Sequence, residues 1–163
     1  MPSIPAQALY EACAAGDAAA VSRLLPAGGT RLNLSRPRFQ APNTKRTPLI
    51  AAAACGHTEI VRMILERAPN TSVGQMDAND DTALLLAACY HHADTVRLLT
   101  DNGGNVNQVV GQRNPPLRAA ICEIHPDDPP RDPDPDGARE LATVRALLRL
   151  GAGTLPPRPL LPF

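Results

Sequence analysis

Three segments of the chain lie over one another without a gap: LYEACAAGDAAAVSRLLPAGG (residues 9–29), LIAAAACGHTEIVRMILERAP (49–69) and LLLAACYHHADTVRLLTDNGG (84–104). A fourth copy is split, with LRAAICE (117–123) supplying its first seven positions and RELATVRALLRLGA (139–152) its last fourteen. Leu recurs at Leu9, Leu49, Leu84 and Leu117, Ala three residues later, and Val at Val21, Val61, Val96 and Val144. The starts are 40, 35 and 33 residues apart. Self-similarity at a period near 33 marks a stack of small units, none of which buries its apolar face alone.

The second copy shows how one unit is built. Thr47 is placed to cap a first helix, and Pro48 sits where a missing N–H costs nothing. A run of Ala lets helices approach closely, and Gly56 ends the run in a left-handed turn. A second helix follows with Ile60, Val61, Ile64 and Leu65 on one face. In the other copies this helix is expected to end at Gly28, Gly103 and Gly151. Pro26 should cut it short in the first copy, and Ala68-Pro69 should give an unusual turn in the second. The chain has no Trp and is 2% aromatic, so the core falls to Ala, Leu, Ile and Val. Ile64 and Leu99 hold one position in their copies and should both be core.

The pattern TPLIAAAACGHTEIVRMIL resembles the ankyrin-repeat family. GGNVN and MDANDDTAL are similar to the family's link and turn. The resemblance implies an all-α solenoid of stacked helix–turn–helix units joined by β-hairpin-like fingers, four repeats in all. It places one domain over residues 1–153, with repeats at about 7–33, 43–77, 78–107 and 110–153, an insertion at 124–138, and a Pro-rich tail at 154–163. It also implies that another protein is gripped by the concave face and the finger tips.

Three departures stand out. The first finger is about seven residues too long for the pattern and carries Arg31, Arg36, Arg38, Lys45 and Arg46 around Phe39, with no acid. It is either a solvated hairpin or a basic contact finger with an aromatic anchor. The insertion, 124–138, holds five Asp against one Arg, and five Pro. Its Asp132, Asp134, Asp136 and Gly137 imitate the opening of a calcium loop, but Thr143 stands where a bidentate Glu is needed, so no metal is expected. Finger and insertion would project from opposite edges, making a dipolar molecule whose docking or weak head-to-tail association is steered by charge. The third departure is CYHH, where His91 replaces Gly and Tyr90 takes a position that faces the groove in the family. Cys13, Cys55, Cys89 and Cys122 fall near first-helix ends and read as thiols, because successive stacked helices lie too far apart for a disulfide.

Charge and motif narrow the function. Sixteen basic residues balance sixteen acidic ones, which disfavours general nucleic-acid binding. No apolar run reaches membrane-spanning length, and MPSIPAQALY lacks the features of a secretion signal, so a cytoplasmic or nuclear chain is expected. The chain contains no P-loop, dinucleotide fingerprint, Gly-x-Ser-x-Gly or His-Glu-x-x-His, and no cofactor is expected. The leading expectation is a monomeric, non-catalytic binding module, an adaptor or inhibitor. Its contact set would be Arg38, Phe39, Asn43, Thr44, Arg46, Asn79, Asp81, Tyr90, His91, Gln112, Asn114 and Glu123. The alternative is a small-molecule isomerase or cyclase using Tyr90, His91 and Glu123 as acid–base groups.

Overall fold

The structure is a computed structural model that describes residues 6–25, 33–35, 44–109, 115–121 and 137–153. The expectations for Arg31, Arg36, Arg38, Phe39, Asn43, Gln112, Asn114, Cys122, Glu123, the Asp-rich part of the insertion and the tail lie outside these residues. Eight helices form the described part: α1 (Ala6–Ala15), α2 (Ala18–Leu24), α3 (Pro48–Ala54), α4 (Thr58–Arg67), α5 (Ala83–Cys89), α6 (Ala93–Asp101), α7 (Pro116–Ile121) and α8 (Ala138–Arg149). They pair within each copy, and the copies stack as two rows. First helices run α1–α3–α5–α7 and second helices α2–α4–α6–α8. Among the described residues there are no strands, only an isolated antiparallel bridge between Met76 and Thr82 in one finger. None of these helices is long and apolar enough to cross a membrane.

The local chemistry acts as the sequence implies. Thr47 caps α3 by accepting from the Ile50 N–H, and Thr82 caps α5 by accepting from the Leu85 N–H. Gly56 takes φ +70 after α3, and His57 N–H reaches back to the Ala52 carbonyl at 2.9 Å. The same six-to-one bond closes α1, α5, α6 and α8. His91 makes that turn after α5 with φ +63, a conformation that strains any residue with a Cβ.

Ile60, Val61, Ile64, Val96, Leu99 and Leu147 are buried in a core that is aliphatic apart from Tyr90 and Cys13. Second-helix length follows the punctuation. α2 stops at Leu24, because Leu25 precedes Pro26 and is forced into extended backbone. Leu24, aligned with Ile64, is therefore only half buried, and Leu25 fills the core in its place. α6 and α8 end before Gly103 and Gly151, both at positive φ. α4 has no such glycine; Ala68 closes it at φ −130, ψ 61, a different turn.

Adjacent copies are interlocked. Beside Gly16 lies the ring of His57, so close that a Cβ there would fall 2.6 Å from it. The Nε2–H of His57 donates to the Ala14 carbonyl at 3.3 Å. One copy later, the ring of His92 sits 2.5 Å from where a Cβ on Gly56 would be, and its Nε2–H donates to the Ala54 carbonyl at 3.1 Å. The hydroxyls of Thr58 and Thr95 join the same two copies at 2.7 Å.

Candidate functional site

The finger between the second and third copies is built around one carboxylate. Asp77 is buried, and its Oδ1 accepts from the N–H groups of Asn79 at 2.8 Å and Asp81 at 3.1 Å. Its Oδ2 accepts from Arg46 Nε at 2.9 Å, and its own N–H donates to the Asp81 carbonyl at 3.0 Å. Asp80, at φ +62, completes the reversal. The Ala78 N–H donates to the Thr44 carbonyl at 2.7 Å, tying this finger to the end of the one before it. The tip residues Ala78, Asn79 and Asp80 are exposed on a support bonded from inside.

Behind the finger, Arg46 is the charge shared by the first-helix ends. Burial opposes its charge, but the hydrogen bond and charge of Asp77, with Tyr90 and Tyr10 adding to them, hold the guanidinium above its usual range. Burial pushes the Tyr10 phenol up while Arg46 draws it down, and a hydrogen bond links it to the Thr44 side chain. The Cys55 thiol is likewise pushed up by burial and lowered by Arg46. Both tyrosines of the chain therefore converge on one arginine that is already paired with a carboxylate. The result is a neutral, braced platform. Cys13, on the same helix as Tyr10, is buried, and its thiol is pushed up to about 12 by burial.

The expected contact residues divide accordingly. Asn79 is exposed at the tip, and Thr44 is half buried beneath it. Arg46 is held by Asp77 rather than presented to solvent. Two expectations need correction. Tyr90 and Asp81 are 9% and 6% exposed, so neither is an open surface anchor. Tyr90 caps α5, packs in the core and lies 6.4 Å, ring centre to ring centre, from His92. Truncating it would cost stability, contrary to what a groove position implies. His91 is half buried and spent on the left-handed turn.

Tyr10 and Asp77 were missed. Asp77 opens DANDD, a spacing in which an Asp side chain caps the N–H groups that follow it. Tyr10 stands in the row that holds Ile50 and Leu85, and that break in an aliphatic row was its only signal. Thr143, the missing calcium ligand, is fully buried in α8, and Gly137 is the left-handed N-cap of that helix. Among the described residues no group of three or more His, Cys, Asp or Glu could hold a metal ion.

Comparison with protein families agrees with this geometry. A family model described as ankyrin repeats (3 copies) matches residues 9–110.

Proposed function

Because the chain belongs to the ankyrin-repeat family, we propose that it is a non-catalytic adaptor or inhibitor that grips another protein with the finger tip at 78–80 and the neighbouring first-helix ends. Repeats of this family generally mediate protein–protein interaction. The observation that carries the reading is Asp77: three donors converge on its buried carboxylate and hold the tip in one shape before any partner arrives. A loop ordered in advance loses little conformational freedom on binding, which favours affinity. Exposed Cys55 and the half-buried side chain of Thr44 extend the surface beside it.

The test is affinity capture from the native cell with the full chain and with Asn79→Arg. The side chain at 79 is exposed, so this variant should melt like the parent. Loss of the captured proteins supports the reading. Unchanged capture by Asn79→Arg together with Ala78→Arg removes the finger from the interface.

A further inference from the structure

The last copy ends on a face its predecessors do not have. One first-helix position is held by Cys13, Ala53 and Ala88, all fully buried, and then by Ile121, which is 59% exposed. On the second helices, the position of Thr58 and Ala93 becomes Leu141, 49% exposed, and that of Leu65 and Thr100 becomes Leu148, 54% exposed. The orientation follows from the helix period. Thr95 turns back to Thr58 of the preceding copy, and Thr143 holds the same position in α8. At about 100° per residue, Leu141 and Leu148 lie about 140–160° round from Thr143, on the side away from the stack. This face continues the interface between copies: in the second copy the Leu141 position is Thr58, which meets Thr95 of the next unit.

Its charge says what could cover it. The described residues of the fourth copy carry Arg118, Arg139, Arg145 and Arg149 against one acid, Glu140. Arg118 stands one turn from Ile121, where Ile50 and Leu85 are buried in earlier copies. A fifth repeat of the same kind would bury that guanidinium without an acid to meet it, which is costly. A second copy meeting it with the same face would bring arginine against arginine. We propose that the outer face of α7 and α8 is a docking surface for an acidic amphipathic helix of another protein. Its apolar side would rest on Ile121, Leu141 and Leu148, and its carboxylates would meet Arg118 and Arg145. This surface is separate from the finger at 78–80.

The test uses the full chain and a displayed library of helical peptides. Apolar residues are fixed at i, i+3, i+4 and i+7, and the other positions are drawn from Asp, Glu, Lys, Arg, Ser and Gln. Recovered peptides should carry an excess of acid. Leu148→Arg and Arg145→Glu should each weaken them about tenfold or more, added salt should weaken them further, and Asn79→Arg should leave them unchanged. Recovery without acidic bias, or equal binding to both variants, overturns the proposal. So does a dimer in sedimentation that Leu148→Arg dissolves, which would give the face to a second copy. Binding seen only after deletion of residues 124–136 overturns it in favour of the chain's own acidic segment.

Discussion

The junction between the second and third copies differs from the one between the third and fourth. At the first, a ring enters a notch (His92 over Gly56), and two threonine hydroxyls meet across the gap. At the second, the notch position is His91 and the ring position Glu140, which is exposed. The third copy has Ala93 where the second has Thr58, and the Thr143 hydroxyl has no hydrogen-bond partner among the described residues. Notch and ring are both replaced, and one hydroxyl of the threonine pair is lost, at a single junction, the one whose later copy is split by an insertion. The junction keeps apolar contact through Ala120, Ala146 and Leu147, and it has Asn107, whose side chain bonds the Gly151 carbonyl at 3.0 Å and the Gly153 N–H at 2.8 Å. A copy therefore stacks without the ring and the hydroxyl pair, which elsewhere add register and cohesion.

The largest test of this contrast is truncation. Leu99→Ala, deep between interlocked copies, should cost about 2–5 kcal/mol in chemical denaturation. Leu148→Ala, on the open end, should stay within about 0.5 kcal/mol. Equal losses would mean that the end is covered in solution. Next come the turns. Gly56→Ala places a Cβ at positive φ and against the His92 ring, and should cost about 2 kcal/mol. The reciprocal His91→Gly relieves backbone strain and should move the thermal midpoint little, by less than about 1 kcal/mol in free energy. A large loss there would show that the His91 side chain matters to the junction.

A smaller effect is expected at Thr143. Replacing it with Val keeps its shape and removes a buried, unpartnered hydroxyl, so stability should rise by about 1 kcal/mol. A drop would reveal a partner beyond the described residues. The subtlest is a change of slope with pH. Burial lowers the His92 pKa from its ordinary 6.5; the Ala54 carbonyl opposes this, and Arg139, His57 and His91 add to it. The unfolded chain therefore takes up the proton first. Stability is full above about 6.5 and falls as pH drops through that value toward the lower folded pKa. His92→Gln should flatten the melting profile between about pH 7.5 and 5.5; an unchanged profile would place the sensitivity elsewhere.

The repeat, its caps and its core row were legible because each depends on local chemistry: Thr47 before Pro48, Gly56 after a run of Ala, and Ile64 aligned with Leu99. The short α2 was legible for the same reason, since Pro26 dictates Leu25. The site was less so. Family position put Tyr90 in a groove, but its environment is set by Arg46 and His92, residues 44 positions before it and two after. Asp77 looks like one more loop acid until its three donors are brought together in space. Spacing along the chain reports what a residue does to its own turn. It says little about which distant neighbour will claim its side chain.

The ring in the notch also has a direction. Each notch belongs to the earlier copy and each ring to the later one, so Gly16 waits 41 residues for His57 and Gly56 waits 36 for His92. A chain emerging from a ribosome exposes an unfilled socket until its successor follows. The first two units are each finished only by the next, so growth there runs one way, and losing the third and then the second copy would reopen these sockets in reverse order.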